Sequence, residues 1–229
     1  MKIFGLTGGI ATGKSTVRQM FEDHKVPTID ADKVGHEIIN PGTSAYKTIV
    51  KTFGKEILQS DTPQSPIDRA KLGALIFNDD AKRKQLNKIT HPAIIKRIIY
   101  LIFLNFIRGE PAIIIDSPLL YEVGLDKICS KVILVYVPQE LQLERLLARN
   151  PELGEQAEKR IAAQISIEEK KKRTKCVIEN SGTLQQTKLL VDDMYNQIFP
   201  RSRVFTIRNI LLTALATITI CFFILSKVI

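Results

Sequence analysis

The chain has 229 residues, 45% hydrophobic and 25% charged, the balance of a folded globular protein and not of a disordered or fibrous one. Its three cysteines, Cys129, Cys176 and Cys221, lie far apart with no C-x-x-C pair, and the three histidines do not cluster; this argues against a structural zinc or a disulfide framework and fits a reducing compartment. Of the formal net charge of +9, Arg201, Arg203, Arg208 and Lys227 supply four in a tail without acids, so residues 1–200 keep +5, an excess that suits polyphosphate ligands and does not demand nucleic acid.

Lys2 to Thr7 reads as a short apolar strand, and no charged-then-apolar leader precedes it, so no cleavable signal peptide is expected. The strand runs into Gly8-Gly9-Ile10-Ala11-Thr12-Gly13-Lys14-Ser15, which fits the phosphate-loop pattern G-x-x-x-x-G-K-[ST]. Glycines let the backbone curl so that successive N–H groups face a nucleotide's phosphates. Lys14 brings a positive charge to the β- and γ-phosphates, and the Ser15 hydroxyl can reach Mg²⁺. A helix follows, with Val17, Met20 and Phe21 on one face, and its N-terminus adds the positive end of a dipole. Strand, glycine loop and helix are the setting in which this motif binds nucleotide.

Val26 to Asp30 reads as a second strand, with Ala31 and Asp32 at its carboxyl end. Residues 33–107 read as mostly helical. Gly54 should stop a helix carrying Tyr46, Ile49, Val50 and Phe53, and Asp68 is a candidate N-cap for the next one. Lys82 to Ile89 is expected as a separate helix. His91-Pro92 then opens a long one whose apolar residues, Ile94 to Ile107, nearly encircle it and should be largely buried. Ala112 to Asp116 and Lys131 to Val137 are continuous apolar runs, as in central parallel strands. Helices are expected at 139–149 and 155–173, a last short strand at 176–178 and a final helix at 183–198.

Alternating strands and helices predict an α/β fold, a phosphate-loop parallel sheet wound on both faces, with ligand at the carboxyl ends of the strands. Asp30, Asp32 and Asp116 all fall at such ends. For Asp30 a helix N-cap and a functional role stand even, whereas Asp32 and Asp116 read as functional. No N-K-x-D guanine-reading sequence occurs, since Asn87-Lys88-Ile89-Thr90 lacks the acid, and the chain is short for a mechanical ATPase. A small-molecule kinase needs a carboxylate near the acceptor hydroxyl and mobile arginines over the transferring phosphoryl group. Arg145 and Arg149 share a helical face, and Arg160 follows after the turn at 150–154; together they read as a lid, or else as a solvated face paired to Glu144, Glu152, Glu155 and Glu158. The run Lys170 to Lys175 reads mainly as a solvated helix end.

From Asn209 to Ser226 no charged residue occurs. As a helix this stretch would span roughly 27 Å, close to the bilayer hydrocarbon thickness. Arg201, Arg203 and Arg208 precede it and only Lys227 follows, which orients the large domain to the cytosol. The alternative is a buried C-terminal helix of the core. The expected organisation is a kinase domain over 1–200, with a helical insertion over about 33–107 and a lid over about 141–173, then a basic linker and single C-terminal transmembrane helix over 201–229.

Several stretches occur in a telling order: Gly5 to Ile10, Asp30-Ala31-Asp32, Ile67 to Gly73, Leu86 to Pro92, Asp116 to Glu122 and Arg160 to Gln164. In that order they resemble the dephospho-coenzyme A kinase family, over residues 1 to about 198. The resemblance implies transfer of the γ-phosphoryl of ATP to the ribose 3′-hydroxyl of dephospho-coenzyme A. It further implies Asp32 as general base, residues 8–15 on ATP with Mg²⁺ near Ser15 and Asp116, and His91 near the acceptor or capping a helix. Asp116 would also face substrate, Arg145, Arg149 and Arg160 would serve the lid, and Asn180-Ser181-Gly182 would lie by the adenine. Ser60 to Pro66 departs from the family pattern in lacking an Asp-Gly turn. The tail is foreign to the bacterial enzyme and resembles the membrane-attached eukaryotic form, on the mitochondrial outer membrane or endoplasmic reticulum. A nucleoside or nucleotide kinase of similar architecture, and a membrane-tethered nucleotide sensor without turnover, are the competing readings.

Overall fold

The computed structural model describes residues 1–62, 64–77 and 79–199; the expected linker and anchor at 201–229 lie outside the described residues. In chain order the regular elements are β1 (Lys2–Gly8), α1 (Lys14–Asp23), β2 (Thr28–Asp30), α2 (Ala31–Glu37), α3 (Ser44–Phe53), α4 (Arg69–Phe77), α5 (Asp80–Arg108), β3 (Ala112–Asp116), β4 (Lys131–Tyr136), α6 (Gln139–Arg149), α7 (Gln156–Ala162), α8 (Ile167–Lys172), β5 (Cys176–Glu179) and α9 (Leu184–Ile198). They divide into two compact units, one of Met1–Thr28 with Phe103 onward, the other Ile29–Ile102.

The sheet has the order β2-β3-β1-β4-β5, and its strands β1, β3, β4 and β5 belong to the first unit. β1 runs parallel to β3 on one side and β4 on the other, and β4 runs parallel to β5. The chain thus crosses from one side of β1 to the other, and the crevice at its carboxyl end opens where the strand order reverses. All five residues of β3 are buried, as its unbroken apolar run requires. Alternation sends Phe4, Leu6, Ile114, Ile133 and Val135 to one face, against Val17 and Phe21 of α1 and Val191 of α9. Burial of each such side chain stabilises the fold by about 1.5–3 kcal/mol. Phe199 closes this core, its ring centroid 4.3 Å from that of Phe4. On a separate cluster, Leu146, Leu153 and Ala157 of the α6–α7 region pack with Ile10 and Ala11 of the phosphate loop.

The second unit has its own core of Tyr46, Ile49, Phe53, Ile57, Leu58, Ile67 and Leu72. The Thr43 hydroxyl accepts from Tyr46 N at 3.1 Å and opens α3, and Gly54, at φ 86°, ends it in a conformation that disfavours any residue with a Cβ. Asp68 caps α4, accepting from Ala70 N at 2.9 Å and Lys71 N at 3.1 Å. The Ser60–Pro66 loop is held by Tyr46, whose hydroxyl donates to Ser65 O at 2.7 Å.

Five expectations are corrected. The two helices split at His91 are one: α5 runs through Pro92, because losing one backbone N–H removes a single hydrogen bond from a helix of 29 residues. His91 therefore caps nothing and lies exposed inside α5. Nor is α5 mostly buried, since Ile98 and Asn105 turn inward while Ile99, Tyr100 and Phe103 are 57%, 50% and 55% exposed. The segment 155–173 is broken into α7 and α8, with Ser166 capping the second by accepting from Glu169 N at 3.2 Å. Lys170 is not solvated: it is wholly buried, whereas Lys171, Lys172, Arg173 and Lys175 are exposed.

Candidate active site

The loop between β1 and α1 is shaped by what surrounds each of its turns. Gly13, at φ 83°, is the residue on which α1 begins, and Thr16 N and Val17 N both donate to its carbonyl, at 3.0 and 3.3 Å. A side chain there would meet the amide of Asn180 as well as suffer the left-handed backbone. Ala11 also lies in that region, at φ 61°, a conformation that costs a residue with a Cβ roughly 1–2 kcal/mol. The strain is held by ties on either side. The Thr12 hydroxyl donates back to Gly9 O at 2.9 Å, and Asn180 Nδ2 donates to Thr12 O at 2.7 Å. Asn180 is in turn fixed by the Thr187 hydroxyl, which donates to its Oδ1 at 2.6 Å.

The carboxyl end of β3 brings acid to this loop. Asp116 is 1% exposed; one of its oxygens is paired with the Lys14 ammonium and the other accepts from Arg18 Nη1 at 3.2 Å. A buried carboxylate holds its charge only when so compensated. The arrangement keeps Lys14 at the mouth of a loop whose amides and helix N-terminus favour polyphosphate.

Lys170, from α8, ties three segments together beneath the loop. Its ammonium donates to Pro118 O at 2.6 Å and Gly8 O at 3.5 Å and pairs with Glu122 at 3.1 Å. Burial pushes its pKa down, and the hydrogen bond it donates to Glu122 opposes that shift. Glu122 also accepts from Ile165 N at 3.0 Å, and Pro118 O from the Thr7 hydroxyl at 3.3 Å. A single buried cation thus fixes the start of the phosphate loop, the turn after Asp116 and the segment between α7 and α8.

The expected lid lies beside this loop. Gln164 Oε1 accepts from Ile10 N at 3.2 Å, so a side chain beyond α7 reaches a loop amide. Arg145 is half-buried on α6, and Arg149 and Arg160 are exposed. Arg149 Nε donates to Asn150 Oδ1 at 3.1 Å, and the carboxyl of Glu152 is held below its usual range by its hydrogen bond with Asn150, helped by the charge of Arg160. Gly182 is exposed at the turn before α9.

Asp30 and Asp32 are separated by role. Asp30 is the N-cap of α2, its side chain accepting from Lys33 N at 2.9 Å. Asp32 is exposed in the first turn of α2, and His91 is exposed on α5. Sequence reasoning missed Arg18, Gln164 and Lys170. Arg18 was legible one helical turn after Lys14; the burial of Lys170 carried no signal, because it opens a run of solvated cations.

Among the described residues no cluster of three or more His, Cys, Asp or Glu could hold a metal by itself. Magnesium on a nucleotide needs fewer protein donors, because phosphates and water complete its octahedron. Ser15, exposed in the first turn of α1, fits that requirement, whereas both carboxylate oxygens of Asp116 are engaged by Lys14 and Arg18 and would have to release one of them to reach a metal directly.

Residues 2–186 match the family model described as dephospho-CoA kinase. The chain is 44% identical over 192 residues to the dephospho-CoA kinase of Oceanobacillus iheyensis, covering 84% of this chain and 95% of that one. It is 47% identical over 185 residues to that of Bacillus licheniformis, covering 81% and 90%. Among solved structures it resembles TT1252 from Thermus thermophilus, with a TM-score of 0.72 and 27% identity over 87% of this chain and 98% of that one. The dephospho-CoA kinase of Campylobacter jejuni gives a TM-score of 0.62 at 28% identity, over 86% and 97%. These relatives are bacterial, so they support the family and not its eukaryotic membrane-attached form. On this match, which extends over residues 2–186, the chain belongs to the dephospho-CoA kinase family.

Proposed function

We propose that the chain performs the last step of coenzyme A biosynthesis, passing the γ-phosphoryl of ATP to the ribose 3′-hydroxyl of dephospho-CoA. Membership of the family over residues 2–186 carries this reading. The phosphate loop supports the ATP half of it: the amides of residues 8–15, the N-terminus of α1 and Lys14 together bind and orient a triphosphate. Phosphoryl transfer asks the protein mainly for position and charge, which this loop supplies without covalent chemistry.

Asp32 accepts the proton of the acceptor hydroxyl as the new P–O bond forms, and ADP leaves with the bridging oxygen. Its exposed carboxylate at the head of α2 is free of the capping duty that Asp30 carries, which favours Asp32 over Asp30. His91 contacts the acceptor. Arg145, Arg149 and Arg160 close over the transferring group and exclude water. Asn180 and Gly182 border the adenine side of the loop. Ser15 and Asp116 would hold Mg²⁺, which when bound neutralises charge on the β- and γ-phosphates.

The organisation proposed is a kinase domain over 1–200, carrying an insertion over about 33–107 and a lid over about 141–173. Residues 201–229 form a basic linker and one membrane span, with the kinase domain facing the cytosol. The uncharged stretch 209–226 supports the span, and the preceding arginines its orientation. The likeness to the eukaryotic form on the mitochondrial outer membrane or endoplasmic reticulum rests on that tail alone.

A substrate panel tests the activity. With ATP and magnesium the chain should phosphorylate dephospho-CoA, with product identified by mass, and should leave uridine and nucleoside monophosphates untouched. Phosphorylation of those compounds without turnover of dephospho-CoA would reassign it as a nucleoside or nucleotide kinase, and nucleotide binding without any turnover as a sensor.

A further inference from the structure

The phosphate loop carries a contact that nucleotide binding has to break. Ile10 N donates to Gln164 Oε1 at 3.2 Å, joining residues 154 apart in the chain. Under the ATP reading proposed above, the Ile10 amide is one of those that face the triphosphate. An N–H has a single proton and is satisfied by one good acceptor. A phosphate oxygen can take that bond only by displacing the carboxamide oxygen of Gln164. Lys14, four residues on, is engaged in the same way, its ammonium paired with Asp116. Both groups therefore meet protein oxygens where phosphate oxygens are expected.

Gln164 sits between a fixed side and a looser one. The next residue, Ile165, donates its N–H to Glu122 Oε1 at 3.0 Å, and the same oxygen meets the Lys170 ammonium at 3.1 Å. Lys170 is wholly buried and also reaches Pro118 O at 2.6 Å. That side is held by directional, charge-assisted bonds. On the other side α7 closes on its own backbone: Ala163 N donates to Lys159 O at 3.0 Å and Gln164 N to Ile161 O at 3.2 Å. Ala157 and Ile161 of α7 belong to the same apolar cluster as Ile10 and Ala11, and apolar contacts carry no direction. Breaking the bond at Gln164 therefore loosens α7, with its exposed Arg160, and leaves α8 in place.

We propose that Gln164 is a positioning residue that competes with the triphosphate for the Ile10 amide. It ties the end of α7 to the loop until a phosphate oxygen takes that amide, and its release lets α7 carry Arg160 toward the transferring group. The inference rests on the reading of residues 8–15 as the ATP site. Two consequences separate this role from a structural one. Removing the acceptor tightens ATP, because no bond has to be broken first, whereas a negative charge at the same place weakens it. Damage to the fold would weaken ATP in every variant.

Calorimetry of the full chain with magnesium and a non-hydrolysable ATP analogue tests the competition. Gln164→Met keeps the length of the side chain and removes its oxygen. Gln164→Ala stands in should that variant not fold, and a thermal melt reports folding of each. The Kd of either variant should fall roughly two- to tenfold, the weight of one hydrogen bond. Gln164→Glu should raise it at least tenfold, because a carboxylate accepts more strongly from the amide and repels the triphosphate. Hydrogen–deuterium exchange without nucleotide tests the tie itself. Peptides covering 8–12 and 156–163 should exchange at least twofold faster in Gln164→Met than in the parent.

An unchanged or raised Kd in folded Gln164→Met and Gln164→Ala would overturn the proposal; a raised one would mean that Gln164 holds the nucleotide and does not compete with it. Exchange unchanged at either segment would also overturn it, since the tie would then not hold both ends. Lys14→Ala separates this inference from the reading beneath it. If that variant binds the analogue at least tenfold more weakly than the parent while the Gln164 variants bind it no more tightly, the ATP site stands and this inference alone fails. If Lys14→Ala binds it as well as the parent, the loop does not hold the triphosphate and both fail.

Discussion

Lys14 has to serve two anions. Its ammonium is paired with Asp116, which is buried and shared with Arg18; a triphosphate in the loop draws on the same charge. Lys14→Ala removes that charge from the transferring phosphoryl group, and turnover should fall by about 10²–10³-fold in a coupled ATP-consumption assay. Unchanged turnover would contradict the loop's role. At Asp32 the expected signature is different. Asp32→Asn keeps the shape and loses the proton acceptor, so kcat should drop by roughly 10²–10⁴-fold while calorimetry finds ATP affinity unaltered. An effect confined to ATP affinity would mean that Asp32 is not the base. The phosphate-loop residues stood out in the sequence because their types and spacing follow a general phosphate-binding pattern. Those that hold them in place did not: Gln164 and Lys170 act through burial and through partners more than 40 residues away, such as Ile10, Gly8 and Glu122.

Among elements, α8 shows how much one side chain can organise. Without Lys170, the carbonyls of Gly8 and Pro118 lose a buried donor and Glu122 loses its cation. Lys170→Met should lower stability by about 1.5–3 kcal/mol in a thermal melt and raise the KM for ATP, and Lys170→Arg should restore most of both. A methionine variant as stable as the parent would remove Lys170 from this role. β3 was readable as a buried parallel strand because neither face of it sees water, and β4 because the same holds from Ile133 to Tyr136. α5 was misread as two helices because Pro92 is a common first-turn residue, and its burial was misjudged because apolar residues around a helix do not say which side finds a partner. The break between α7 and α8 was hidden for the opposite reason: Ser166 caps a helix inside a stretch whose composition favours helix throughout.

For the molecule as a whole, the order β2-β3-β1-β4-β5 puts the phosphate loop at the point where the sheet reverses, so fold and ATP site are one inference. The tail is a separate one. Phe199 is seated on Phe4 and Phe21 in the core, which fixes where the remaining chain departs. If residues 209–226 span a bilayer, alkaline carbonate should leave the full chain in the membrane pellet, and its release into the supernatant would count against the span.

The central claim is that main-chain amides of residues 8–15 grip the triphosphate while Asp32 takes a proton from the ribose of the acceptor. A crystal structure with magnesium, a non-hydrolysable ATP analogue and dephospho-CoA measures this directly. It should show the phosphates enclosed by Gly8 to Ser15 with Lys14 turned onto them, and the acceptor hydroxyl within hydrogen-bond reach of Asp32. Nucleotide bound elsewhere with that loop empty, or an acceptor hydroxyl far from Asp32, would contradict it.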